Sequence, residues 1–114
     1  MRAMHHSING FIIMEPPTSS ARLASVVVET QGLYKTYGGK IAVPVLRGID
    51  LQIRAGTFVA LVGQSGSGKS TLLHLLGALD VPTAGRVWIN SVDLTTLSEE
   101  ELALLRSEAI GFIF

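Results

Sequence analysis

The stretch Gly63-Gln64-Ser65-Gly66-Ser67-Gly68-Lys69-Ser70-Thr71 constrains this chain more than any other part of it. It follows Phe58-Val59-Ala60-Leu61-Val62, apolar at every position, and precedes the helix-like run Leu72 to Leu79. An uninterrupted apolar run of this length reads as a strand covered on both faces, as in a parallel sheet. Strand, glycine-rich turn and helix in succession form one unit of an α/β fold.

The turn satisfies the pattern G-x-x-x-x-G-K-[ST] at every fixed position, Gly63, Gly68, Lys69 and Ser70. Wrapping a backbone around phosphate requires successive amides to point inward. Glycines at 63, 66 and 68 permit the backbone angles and leave no side chain in the way. The helix begins at about Gly68, so its unpaired amides and the positive end of its dipole are expected to serve the same site. Lys69 supplies a mobile charge able to reach the β- and γ-phosphates, the Ser70 hydroxyl is the expected protein ligand of magnesium, and Thr71 can donate to the α-phosphate. Residues 63–71 are thus expected to hold a nucleoside triphosphate, ATP, with Mg2+.

The rest of the chain reads around this unit. Residues 1–25 read as a disordered leader and linker: Met1 to Met14 carries an apolar patch, Phe11-Ile12-Ile13, too short for the core of a signal peptide, and residues 15–24 are rich in turn formers. The folded part is expected over 26–114. Val45 to Ile53 alternates, with Ile49, Leu51 and Ile53 on one face and Asp50 and Gln52 on the other, the signature of a half-buried strand. Pro82 to Gly85 turns into a short strand, Arg86 to Ile89. Ser98 with Glu101 forms a capping box that opens a helix through Arg106, and Ile110 to Phe114 reads as a further strand.

Composition excludes several classes of function. Nine basic and nine acidic residues balance, so no basic field recruits nucleic acid. The absence of cysteine removes disulfides and thiolate metal sites, and no apolar run approaches the length of a membrane-spanning helix.

The loop together with Leu72-Leu73 resembles the Walker A segment of ABC-transporter ATPases. Leu79-Asp80-Val81-Pro82-Thr83-Ala84-Gly85 is similar to that family's L-D-x-P-T-x-G turn, and the stretches 97–106 and 110–114 resemble the run toward its Q-loop, most of all in the subgroup for lipoprotein release and macrolide export. Leu33 to Gly38 resembles the A-loop segment, which implies that Tyr37 stacks on adenine, with Tyr34 left to packing and Val45 open between a place against the nucleotide and one in the core. The implied fold is the N-terminal part of a P-loop NTPase domain, an antiparallel β subdomain plus the loop strand and helix, incomplete as a domain. The resemblance further implies a transmembrane permease and a second ATP-binding subunit as partners, and a place on the cytoplasmic face of the membrane. The family's Q-loop glutamine, LSGGQ signature, Asp-Glu strand and switch histidine have no counterpart here, so this chain alone is expected to bind ATP without hydrolysing it. A bare nucleotide-binding module and a small phosphotransferase kinase are the competing readings.

Overall fold

The computed structural model describes residues 4–15 and 25–113. Among the described residues there are two antiparallel sheets. The larger has the order β4-β3-β6-β7, built from β3 (Val26–Tyr37), β4 (Val43–Arg54), β6 (Ala84–Ile89) and β7 (Val92–Asp93). The smaller has the order β1-β2-β5, built from β1 (Met4–Ile8), β2 (Phe11–Glu15) and β5 (Ala60–Gly63). Helix α1 (Lys69–Leu76) touches β5 of the small sheet and β4 and β6 of the large one. A 3-10 turn, Leu94–Thr96, leads into α2 (Glu99–Ala109).

One core serves both sheets. Leu33, Leu46, Ile49, Val87 and Ile89 from the large sheet, Phe11 and Ile13 from the small one, and Leu72 and Leu75 of α1 are buried together. The alternation in β4 is as read from sequence, with Ile49 and Leu51 buried and Asp50 and Gln52 exposed. In α2 the capping box forms: the Glu101 amide donates to Ser98 Oγ at 3.2 Å and the Ser98 amide donates to Glu101 Oε1 at 3.0 Å. The Ser98 amide first, and the Ser98 hydroxyl second, hold the Glu101 carboxyl below the usual glutamate range.

Three expectations are corrected. Residues 4–15 form a hairpin, β1 and β2, where a disordered leader was expected; residues 16–24 of the expected linker lie outside the described residues. Asn9 (φ 54°) and Gly10 (φ 87°) supply the two left-handed residues of a tight hairpin turn, and Phe11 and Ile13 reach the core. The apolar run at 58–62 becomes the short strand β5, which pairs antiparallel with β2 through Phe11↔Gly63 to Met14↔Ala60, so it is not enclosed in a parallel sheet. Phe58 is 80% exposed and Val62 48% exposed. Finally, residues 110–113 form no strand. A strand exists only through a ladder partner; Phe112 instead lays its ring on α1, where a Cβ on Gly77 would stand 2.5 Å from its Cζ. Among the described residues no helix is long and apolar enough to cross a membrane.

Candidate nucleotide-binding site

β5 ends at Gly63 and α1 begins at Lys69, so the glycine-rich segment is the whole connection between them. Gly66 (φ 83°) and Gly68 (φ 101°) take left-handed angles that curl the backbone. Gly68 is also crowded: a Cβ there would stand 2.9 Å from Leu46 Cδ2 and 3.2 Å from the Val45 carbonyl oxygen. Gly63 is required by close approach, since its Cβ would meet that of Phe11 at 2.6 Å. Phe11, the ladder partner of Gly63, therefore packs by its Cα and Cβ against the point where strand becomes loop.

Gly68 caps α1 with backbone alone, and the first helical turn contains no acidic residue. The unpaired amides and positive dipole end are left uncompensated by the helix's own side chains. They border a cavity of about 400 Å³ lined by Val45, Ser65, Gly66, Gly68, Lys69, Ser70 and Thr71. Lys69 folds back along the loop, its Nζ donating to the carbonyls of Gly63 and Gln64, the latter at 2.7 Å, and to Ser67 Oγ at 3.3 Å. Structure thus brings Ser65, Gly66, Gly68, Lys69, Ser70 and Thr71 to one cavity, with Gly63, Gln64 and Ser67 joined to it through the Lys69 ammonium.

The donor set fits a phosphate chain. Backbone amides at a helix start, one ammonium and three hydroxyls offer hydrogen bonds and positive charge, and no lining residue is a carboxylate. Ser70 supplies one oxygen suited to magnesium. Among the described residues no group of three or more His, Cys, Asp or Glu could cage a metal.

Tyr37 stands at the end of β3, opposite Val43. It is 41% exposed and is not among the residues lining the loop cavity. Its hydroxyl donates to Asp80 Oδ2 at 3.4 Å, and Lys35 Nζ lies 5.2 Å from its ring centre. Lys35 in turn pairs with Asp80 Oδ1 at 3.2 Å and donates to the Val81 carbonyl at 2.7 Å. Partial burial raises the Asp80 carboxyl, but the Val81 amide, Lys35 and the Tyr37 hydroxyl together outweigh it and hold the group below the ordinary aspartate range. β4 reaches the loop: Val43, the ladder partner of Tyr37, lines a cavity with Gly66 and Ser67, and Val45 lines the loop cavity itself.

Two residues that matter to the loop escaped the sequence reading. Phe11 and Asn9 both come from the presumed leader, and the signal for them was present. An Asn-Gly pair between Ile8 and Phe11-Ile12-Ile13 is a strong short-range mark of a hairpin.

A strand entering a glycine loop that curls over a helix start, beside an antiparallel sheet, defines a P-loop ATPase cassette. The dimeric ATP-binding cassette MJ0796, solved in a post-hydrolysis state bound to ADP and Pi, superposes with a TM-score of 0.69 and 36% identity over 76% of this chain and 38% of its own. Residues 46–114 match the ABC transporter family, and the chain belongs to it. The macrolide export ATP-binding/permease protein MacB of Nitrosomonas europaea is 54% identical over 90 residues, 77% of this chain and 14% of that protein. The lipoprotein-releasing system ATP-binding protein LolD of Xanthomonas euvesicatoria is 44% identical over 103 residues, 90% of this chain and 42% of that protein. The chain therefore spans less than half the length of the curated relatives it matches.

Proposed function

We propose that this chain is the nucleotide-gripping part of an ABC-transporter ATP-binding subunit, of the kind that serves lipoprotein release or macrolide export. The observation that carries the reading is the loop cavity, where the curled backbone of Gly66 to Gly68, the bare start of α1 and Lys69 converge without an opposing carboxylate. In this reading the amides of 66–71 hold the phosphates and Lys69 exchanges its bonds to the Gly63 and Gln64 carbonyls for the β- and γ-phosphates. Ser65, Ser67 and Thr71 add hydroxyl donors, and Ser70 is the ligand for magnesium. The metal, when bound, would neutralise charge on the phosphates. Tyr37 covers adenine.

ATP hydrolysis coupled to transport is the activity proposed for the whole protein, with a permease in the membrane, a second ATP-binding subunit and a cytoplasmic location. The sequence similarity to MacB and LolD and the dimeric cassette support this reading. The residues described here provide positioning and charge for the phosphates, one part of what phosphoryl transfer requires. The test is isothermal titration of residues 1–114 with MgATP, beside Lys69→Ala. Losing one charged hydrogen-bond donor should weaken binding by about 1.5 to 3 kcal/mol, with the far-UV circular dichroism unchanged. Equal affinity in the two proteins would contradict the assignment of the loop.

A further inference from the structure

Asn9 sits at the tip of the β1–β2 hairpin, yet its side chain ties together distant pieces of backbone. Its Nδ2 donates to the Val45 carbonyl at 2.7 Å and to the Ser67 carbonyl at 3.0 Å, and its Oδ1 accepts from the Arg47 amide at 3.0 Å. Both donors and one acceptor position of the carboxamide are thereby used. The same nitrogen lies 3.2 Å from where a Cβ on Gly68 would stand. Ser67 and Gly68 share one peptide plane, and in a trans peptide the carbonyl and the following N–H point in opposite directions. Fixing the Ser67 carbonyl on Asn9 therefore turns the Gly68 N–H away from the hairpin. The two cavities here agree with that polarity: Ser67 lines the one that Asn9 lines, and Gly68 lines the one that Lys69 and Ser70 line.

We propose that Asn9 is a positioning residue for the phosphate loop, setting the orientation of the Ser67–Gly68 peptide and through it the loop's grip on an anion. Asn9 touches no phosphate in this account; it acts through the peptide, and its effect on affinity rests on the nucleotide reading above. The turn and the bridge can be separated. Asn9→Asp keeps an Asp-Gly pair, which favours the same tight turn, and keeps an acceptor for Arg47 while placing oxygen against two carbonyls. Asn9→Gly keeps a turn-forming residue and removes all three bonds.

The experiment is amide hydrogen exchange on the full chain without nucleotide, followed by calorimetric titration with MgATP. The amides of Ser67 and Leu72, which bond the carbonyls of Gln64 and Gly68, should exchange roughly three- to tenfold faster in both variants, the scale set by losing a neutral hydrogen bond. The amides of α2 should keep their wild-type rates, and the dissociation constant for MgATP should rise by a similar factor. Unchanged exchange at Ser67 and Leu72 overturns the proposal. So does equal acceleration throughout the chain, which would mark Asn9 as a support of the whole fold, and so does an unchanged affinity in a chain that binds MgATP. If the wild-type chain fails to bind MgATP, the nucleotide reading falls, and the exchange rates still decide the role of Asn9. Asn9→Gly settles the question if the added charge of Asn9→Asp prevents folding.

Discussion

Tyr37 shows how a single residue holds two relations at once. Its hydroxyl is engaged with Asp80 and Lys35 Nζ stands 5.2 Å from its ring centre, while the residue as a whole is 41% exposed. Stacking of a base on an aromatic ring is worth about 1 to 3 kcal/mol, so Tyr37→Ala should weaken MgATP binding by that amount in a titration, and Tyr37→Trp should nearly restore it. An equal loss from Tyr34→Ala, whose hydroxyl sits 3.0 Å from a Cβ built on Gly48, would assign both tyrosines to packing. The turn between β6 and β7 offers a second residue-scale test. Asn90 (φ 48°) and Ser91 (φ 67°) are both left-handed, yet Ser91 lacks the tolerance for that region that asparagine and glycine have. Ser91→Gly should therefore raise stability by about 0.5 to 1 kcal/mol in a urea melt, the relief of left-handed strain exceeding the added chain entropy. A lower midpoint would show that Ser91 contributes through a contact of its own.

At the scale of elements, the parts set by local chemistry were legible and the parts set by pairing were not. The loop between strand and helix, the alternation of β4, the strand at 86–89 and the capping box of α2 all depend on neighbours within a few residues, and each appears where the sequence puts it. Which strand lies beside β5 is a long-range choice. Phe58 to Val62 is apolar enough for an enclosed position, but composition says nothing about partners, and the hairpin strand β2 takes one edge. The same limit explains Ile110 to Ile113, which have the residues of a strand and no ladder. The hairpin itself was hidden because its apolar patch is short, although its turn was written in Asn9 and Gly10. Phe11 is 1% exposed and presses on Gly63, so the hairpin belongs to the core. Phe11→Ala should cost about 3 to 5 kcal/mol of stability, measured by urea denaturation. A loss well under 1 kcal/mol would mean that β1 and β2 are dispensable.

For the molecule as a whole, the two sheets and α1 present one cradle. The large sheet brings Val45 to it, the small sheet delivers the chain into the loop at Gly63, and α1 offers its unpaired amides. Nothing about that convergence is visible from the loop sequence alone, because Val45 and Asn9 arrive from elsewhere in the chain. The loop's shape was nevertheless readable, since the curl, the helix start and the lysine lie within nine consecutive residues, Gly63 to Thr71. The central claim, that this cradle holds the phosphates of a nucleotide, is tested most directly by following the backbone amide resonances of residues 1–114 as MgATP is added. Saturable shifts concentrated at Gly66 to Thr71, reproduced by MgADP and absent with adenosine, are the predicted result. Shifts of equal size with adenosine, or shifts that leave Gly66 to Thr71 unmoved while other residues respond, would contradict it.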